Sequence, residues 1–387
     1  MIQPSSFSFP TPIQYGPGIL TELGSVLDRL NISKPLVICD RFLPETDAFA
    51  RFRQAIDKAS GIDSFEVFKD VHPNPIEADV KGAVEVYQEG SCDGIIGLGG
   101  GSALDVAKVC RLNIQRPDFR LEDSEGLFAE SWDKLPPFVA IPTTSGTGSE
   151  IGRSSVITLD HTKAKSVIFH PKLLADQVIL DPEVTLSLPP HLTAATGLDA
   201  LTHCIESYTS PVLQPLCDGI ALEGIHLIAK HLVTAVKDGT QIESRGGMQL
   251  AALMGGIAFQ KDLGSTHSMA HPLSNLCHLH HGLANALCLP AVMQWNAERK
   301  PGLYRRVAVA AGLDAVKIGD QAADQLALHW VEELIRETGI QMGLSNHGVE
   351  ASHVEPLSDL AIKDSCHQTN PVPMQREDFV KLYQSAL

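Results

Sequence analysis

The sequence has 387 residues, a length that suits two or three domains. Of these residues 44% are hydrophobic and 20% charged, and this balance excludes a disordered chain. Its net charge of −16, without blocks of Lys or Arg, argues against nucleic acid or an anionic membrane as the main partner. Because no apolar run reaches ~20 residues and the N-terminus lacks a basic and an apolar region, we expect neither a membrane span nor a secretory signal.

The first half of the chain alternates short apolar runs with helical patterns. Segment 6–18 is expected to form either an edge strand or an arm that pairs with a second subunit. Such alternation is typical of a parallel, doubly wound α/β sheet. Strands are predicted at 35–39, 64–68, 93–98, 137–141 and 177–180, and helices at 47–60, at 77–89 and from about Ser102.

The second half is helical nearly throughout. We place the domain boundary near residue 185, which gives an α/β domain over 1–185 and an all-α domain over 186–387. The predicted helices are 192–208, 215–237, 241–260, 264–278, 284–298, 302–311, 319–338, 350–363 and 376–386.

Two loops that follow predicted strands carry the residues of an anion or nucleotide site. Gly99-Gly100-Gly101-Ser102 joins a strand to a helix, and a glycine-rich turn at a helix N-terminus suits a pyrophosphate. The alternative is a plain tight turn, and Ser102 as the helix N-cap is compatible with both interpretations. The loop 142–150, PTTSGTGSE, is rich in hydroxyl groups and would by itself be read as a solvated surface loop.

Two such loops after two strands of one parallel sheet favour a nucleotide, because ligands of open α/β sheets bind beyond the carboxyl ends of the strands. Asp40, at the end of the strand 35–39, can accept both ribose hydroxyls of an adenosine and would repel a 2′-phosphate. It therefore favours NAD over NADP. The alternative is an Asp that caps a turn or a helix.

Histidines and one carboxylate in the second half have the spacing of a metal site. Asp199 and His203 are four residues apart in a helical pattern and so share one face. One carboxylate with several imidazoles suits a divalent first-row metal, Fe²⁺ or Zn²⁺. The spacing alone leaves open which later histidines are ligands among His267, His271, His278, His280 and His281.

The eight cysteines are scattered and contain no CxxC pair. We therefore expect free thiols in a reducing cytoplasm and no cysteine-ligated zinc.

Four segments together resemble the iron-containing, or group III, alcohol dehydrogenases. They are GGGSALDVAK (99–108), PTTSGTGSE (142–150), GLDALTHCIES (197–207) and HSMAHPLSNLCHLHHGLANALCLP (267–290), and they occur in the family's order over nearly the whole chain. The resemblance implies the dehydroquinate synthase-like fold, with a nucleotide-binding α/β domain, a helical metal-binding domain and the active site between them. It also implies a homodimer or a higher homo-oligomer.

The resemblance assigns roles residue by residue. His271 matches a nonligand histidine near the nicotinamide and is our candidate proton relay, with a ligand role as the alternative. Ser274, where the family often has glycine, and the extra His278 and His280 depart from the family pattern. The implied metal ligands are Asp199, His203, His267 and His281, and the implied cofactor-binding residues are Asp40, Gly99, Gly100, Gly101, Ser102, Thr143, Thr144, Thr147 and Lys165.

These residues predict a metal-dependent, NAD-linked alcohol dehydrogenase or aldehyde reductase acting on a small primary alcohol. The alternatives are an NAD- and metal-dependent lyase or synthase with the same layout, a metal-dependent hydrolase without nucleotide, and a noncatalytic binding protein. Lys261, six residues before His267, can pair with the carboxylate of a short hydroxy acid or semialdehyde. It can equally pair with a neighbouring acid such as Asp262 or face solvent.

Overall fold

The computed structural model describes residues 11–124, 127, 134–161 and 165–387. The chain divides into two compact units. The first takes the described residues up to Thr144 together with Gly148–Leu188, and the second takes Ser145–Thr147 and Pro189–Leu387. The second unit therefore includes a three-residue piece of the hydroxyl-rich loop.

The first unit contains a six-stranded parallel sheet with the order β1-β8-β5-β4-β2-β3. A separate antiparallel hairpin pairs β6 with β7. The parallel, doubly wound sheet predicted from the sequence is confirmed. The strands are β1 Ile13–Tyr15, β2 Pro35–Asp40, β3 Glu66–Val71, β4 Gly94–Gly99, β5 Phe138–Pro142, β6 Ser154–Thr158, β7 Lys165–Phe169 and β8 Gln177–Leu180.

Burial on both faces explains why the central strands read as continuous apolar runs. Every residue of β4 and β5 is buried, as expected for parallel strands covered by helices on both sides. One covering helix, α2, begins where the Thr46 side chain accepts a hydrogen bond from Phe49 N. The helices of this unit are α1 Leu23–Arg29, α2 Asp47–Asp57, α3 Glu77–Glu89 and α4 Gly101–Gln115.

The sequence predicted the N-terminal strand of this unit but not its hairpin. Residues 13–15 form an edge strand beside β8, so the edge-strand interpretation is confirmed there, whereas residues 6–10 lie outside the described part of the chain. The hairpin of β6 and β7 was not predicted. Its first strand, β6, begins with Ser154 and Ser155, which in the sequence look like a continuation of the polar loop. Only Ser155 and Ile157 of this strand are buried, and an alternation this short is not recognisable in the sequence.

The second unit is helical. Its longest helix, α6, is the one helix among residues 11–124, 127, 134–161 and 165–387 that is long and apolar enough to cross a membrane. Ile225, Ile228 and Leu232 of α6 are buried in the core of this unit, which is the pattern of a core helix. The helices are α5 Pro190–Thr209, α6 Pro215–Lys237, α7 Ile242–Ala258, α8 Ser265–Leu276, α9 His281–Arg299, α10 Arg305–Ala310, α11 Asp320–Glu337, α12 Val354–Ala361 and α13 Arg376–Ala386.

Candidate active site residues

The glycine loop forms the turn between β4 and α4. Gly99 has a φ of 153°, and a Cβ there would lie 2.9 Å from the Cβ of Ala103, so glycine is required. Helix α4 begins at Gly101, and its N-cap is Gly100, not Ser102. The Ser102 hydroxyl instead donates to Pro73 O at 2.7 Å. The backbone N–H groups of this first helical turn are the ones that suit a pyrophosphate.

Thr143 and Thr144 lie beside this turn, because β5 is the neighbour of β4. Thr143 N donates to Gly99 O at 3.0 Å. The Thr144 side chain would be 3.4 Å from a Cβ on Gly100. The two loops singled out in the sequence therefore meet at the carboxyl edge of the sheet.

Asp40 ends β2, which is the other neighbour of β4. The chain leaves β2 toward β3 and leaves β4 toward β5, so these strands form the switch point at which open α/β sheets bind ligands. Asp40 Oδ1 accepts hydrogen bonds from Phe42 N at 2.9 Å and Leu43 N at 3.1 Å. The turn-capping role is thus present, and the ribose contact stays a prediction.

Neither Thr147 nor Lys165 belongs to a strand of the parallel sheet. Thr147 belongs to the piece of loop assigned to the helical unit, where a Cβ on Gly146 would come within 3.0 Å of Thr196. Lys165 begins β7 and pairs in register with Thr158. Their predicted cofactor contacts stay predictions.

A buried polar network holds the loop and the hairpin against α4, and sequence reasoning missed it. The Lys108 ammonium is wholly buried and donates to Ser149 Oγ and Ser154 O, both at 2.7 Å. Asp105 accepts from Ser149 Oγ at 2.6 Å and from Val156 N at 2.9 Å. The signal was the i,i+3 spacing of Asp105 and Lys108, and the network fixes the course of the chain after the hydroxyl-rich loop.

The helical unit brings the predicted metal ligands together. Asp199 and His203 lie one turn apart on α5, and His267 lies on α8. Each offers a ligand atom, and these atoms all lie within 4.8 Å of one another. Burial lowers the pKa of His203 to about 4, so its ring is neutral near pH 7 and can offer a lone pair.

His281, the first residue of α9, is the fourth predicted ligand. Its Nε2 lies 3.4 Å from Asp199 Oδ1, and its ring centroid lies 5.4 Å from that of His267. Gly282 lets α9 begin close to α5, since a Cβ there would lie 2.7 Å from the carbonyl carbon of Ala195. The extra His278 and His280 are exposed, with His278 in the left-handed region and His280 as the N-cap of α9.

Asn285 marks the point at which these side chains converge. Its Nδ2 lies 2.7 Å from Asp199 Oδ1, 3.1 Å from His267 Nε2 and 3.2 Å from His281 Nε2. A single electropositive group thus already meets three predicted ligand atoms. Together with His203, whose ligand atom lies within 4.8 Å of those of Asp199 and His267, these side chains make a set of one carboxylate and three imidazoles that fits Fe²⁺ or Zn²⁺. Sequence reasoning missed Asn285, although it stands four residues after His281.

His271 lies next to this cluster but pairs elsewhere. Its Nδ1 is 2.7 Å from Asp364 Oδ2, and its ring stacks on that of His281 with centroids 5.3 Å apart. Asp364 also accepts from Ser268 Oγ at 2.9 Å and Cys366 N at 2.9 Å. Burial alone would raise the pKa of Asp364, but the His271 hydrogen bond holds it well below its usual range. Nothing in the local sequence pattern pointed to Asp364.

Lys261 is buried and pairs with an acidic side chain of α6. The residue is 2% exposed, and its ammonium group forms an ion pair with Asp218 and donates to Tyr208 O at 3.2 Å. The alternative of pairing with an acid is therefore observed, with Asp218 in place of the expected Asp262. The prediction that Lys261 binds a substrate carboxylate is not supported.

Comparison with known proteins gives matches over nearly the whole chain. The iron-containing alcohol dehydrogenase model matches residues 10–182, and that of the C-terminal part of the Fe-containing alcohol dehydrogenase family matches 193–387. The 4-hydroxybutyrate dehydrogenase of Cupriavidus necator is 36% identical over 96% of each chain. The NAD-dependent methanol dehydrogenase of Bacillus methanolicus is 32% identical over 99% of this chain and 100% of its own.

A solved structure of a 1,3-propanediol oxidoreductase superposes with a TM-score of 0.93 at 31% identity, covering 99% of this chain and 100% of its own. The sequence matches and this structural match agree over both units. The chain belongs to the iron-containing alcohol dehydrogenase family.

Proposed function

We propose that this enzyme transfers hydride between a small primary alcohol and NAD, with Asp199, His203, His267 and His281 holding one divalent metal ion. The chain is an NAD-linked alcohol dehydrogenase or aldehyde reductase, and the lyase alternative is not favoured. The observation that supports the metal assignment is the convergence of Asp199, His267 and His281 on the Asn285 amide nitrogen. A ligand atom of His203 lies within 4.8 Å of those of Asp199 and His267.

The bound cation supplies Lewis-acid chemistry, which lowers the pKa of a substrate hydroxyl and stabilises the negative oxygen. The chain would hold that cation with one carboxylate and three imidazoles, of which Asp199, His203 and His267 are buried away from water. We propose that His271 accepts the alcohol proton at Nε2. Its Nδ1 is engaged by Asp364, which fixes the ring and leaves Nε2 available.

We assign NAD to the carboxyl edge of the parallel sheet. Gly99–Ser102 would hold the pyrophosphate, Thr143 and Thr144 would line the second loop, and Asp40 would accept the ribose hydroxyls and disfavour NADP. Thr147 and Lys165 are proposed as further cofactor contacts. On this basis residues 1–185 are the nucleotide-binding domain and residues 186–387 the metal-binding domain.

Three further properties are proposals. We propose Fe²⁺ as the metal, with Zn²⁺ as the alternative, because imidazole and carboxylate ligands suit both. We propose a cytoplasmic location, supported by eight cysteines that are all free thiols. We propose a homodimer or higher homo-oligomer, which light scattering coupled to size-exclusion chromatography tests directly.

The natural substrate is proposed to be a short primary alcohol, and a hydroxy acid is the second candidate. The second candidate rests on the similarity to a 4-hydroxybutyrate dehydrogenase. The test is the rate of NADH formation with methanol, 1,3-propanediol and 4-hydroxybutyrate, on protein loaded separately with Fe²⁺ and Zn²⁺. Metal-dependent net NADH formation with any of these alcohols supports a dehydrogenase. A reaction that regenerates NAD within one turnover yields no net NADH and would support the lyase.

A further inference from the structure

Helix α5 carries a third polar side chain on the face that holds Asp199 and His203. Glu206 follows Asp199 by seven residues and His203 by three, so all three project from one side of the helix. It is 4% exposed, and a carboxylate this deeply buried needs partners to offset its lost hydration.

The partners of Glu206 all belong to the start of α8. His267 Nδ1 lies 2.6 Å from Oε2, Thr266 N donates to Oε1 at 2.6 Å, and Gly264 N donates to Oε2 at 3.0 Å. One carboxylate therefore satisfies N–H groups that the first turn of α8 leaves open, and it also holds the ring of a predicted metal ligand.

These contacts decide which nitrogen of His267 can face a metal. A carboxylate in such a position accepts, so the ring hydrogen is on Nδ1 and the lone pair is on Nε2. Nε2 is the atom directed toward Asp199 Oδ1, at 4.0 Å, and toward the Asn285 amide at 3.1 Å. Without Glu206 the ring could rotate or carry its hydrogen on Nε2, and either change would remove the lone pair from the cluster.

Gly264 packs against the same carboxylate. A Cβ at this position would lie 2.7 Å from Glu206 Oε1 and 3.1 Å from Asn370 Oδ1. The φ of Gly264 is −143°, so the requirement for glycine is one of space and not of backbone conformation. Glycine therefore lets Glu206 approach the first turn of α8.

We propose that Glu206 is a positioning residue that controls how tightly the protein retains its metal, by fixing His267 with Nε2 toward the cluster. This inference rests on the metal ligands of the proposed function. Carboxylates that hold metal-binding imidazoles contribute about 10–100-fold to metal affinity. The expected effect of losing this one lies in that range.

The experiment compares metal-free wild-type protein with Glu206→Gln, which keeps the size of the side chain but weakens the acceptor. Zn²⁺ is titrated in competition with a chromophoric chelator, and its release from the loaded protein into excess chelator is timed. We expect Glu206→Gln to bind Zn²⁺ at least about 10-fold more weakly and to release it faster. Asp324→Asn is the matched control, because Asp324 is 1% exposed and accepts from Gly302 N and Tyr304 N elsewhere in this unit. It should keep wild-type zinc affinity.

A second variant tests the same contact in case Glu206→Gln fails to fold. Gly264→Ala keeps the carboxylate but displaces it, so it should also accelerate zinc release, whereas Gly219→Ala, where a Cβ meets nothing within 4 Å, should not. Wild-type affinity and release in folded Glu206→Gln would overturn the inference while leaving the metal site intact. Wild-type protein that binds no Zn²⁺ or Fe²⁺ would overturn the proposed function, and this inference with it.

Discussion

Replacing Gly282 by alanine tests whether the close approach of α9 to α5 holds the proposed metal ligands in place. A Cβ at Gly282 would lie 2.7 Å from the carbonyl carbon of Ala195, closer still to Ala195 O, and 3.1 Å from the Cβ of Asp199. Ordinary van der Waals contact begins near 3.4 Å, so the start of α9 must retreat by about 0.7 Å or more. The obstacle is largely backbone, which cannot swing aside as a flexible side chain would.

The retreat would act on His281, the residue before the substitution. His281 Nε2 now lies 3.4 Å from Asp199 Oδ1, and the shift carries that distance toward or beyond 4 Å. Forcing an extra carbon into a packed contact costs about 1–3 kcal/mol of the free energy of unfolding. We expect zinc affinity to fall by about 10-fold or more, comparable to the loss of an orienting group in other metal sites.

The assay is zinc competition with a chelator, alongside denaturant unfolding of the metal-free protein. Gly219→Ala in α6 is the control, since the new methyl group meets no atom within 4 Å. Alanine there should stabilise its helix by roughly 0.5–1 kcal/mol and leave zinc binding unchanged. The reasoning is refuted if the free energy of unfolding and the zinc affinity of Gly282→Ala both equal those of the wild type, because α9 would then not be held by this contact.

Three further predictions concern other side chains. His267→Ala should lose both metal and turnover, whereas His271→Ala should keep its metal and turn over more slowly, as metal analysis and NADH assays can decide; metal loss in His271→Ala would make His271 a ligand. Asp40→Gly should narrow the difference between the KM values for NAD and NADP, and a wild-type enzyme that already prefers NADP would contradict the role given to Asp40. Lys261→Ala should lower Tm because it leaves Asp218 unpaired, and it should change KM for 4-hydroxybutyrate no more than for 1,3-propanediol; a selective rise for the acid would restore a substrate role.

The elements that the sequence predicted are those whose cause is local. β4 and β5 are buried on both faces, so their continuous apolar runs identify them directly. Asp199 and His203 share a helix face at a spacing of four residues, which the pattern displays before any tertiary structure is known. The two loops proposed to bind NAD were recognisable because each follows a strand of one parallel sheet.

What could not be predicted depends on contacts between distant parts of the chain. Asp364 and His271 are 93 residues apart, and Asn285 and Asp199 are 86 residues apart. The observed pairing of Lys261 depends on such a contact too, because its partner Asp218 is 43 residues away in the sequence. The structure has a single 3-10 turn at Phe259–Lys261, and Asp262, with a φ of 61°, then changes the chain direction before α8.

Helix α5 shows why the proposed metal site lies in the helical unit. It is buried over most of its length, and polar groups placed on such a helix cost stability unless other elements pair with them. Glu206 is paired by α8, and Asp199 is paired by Asn285 of α9. The two helices that supply His267 and His281 thus also offset the free-energy cost of burying polar residues on α5. The same packing that stabilises these buried groups sets the positions of the proposed metal ligands, so substitutions that loosen α8 or α9 should weaken metal binding before they unfold the protein.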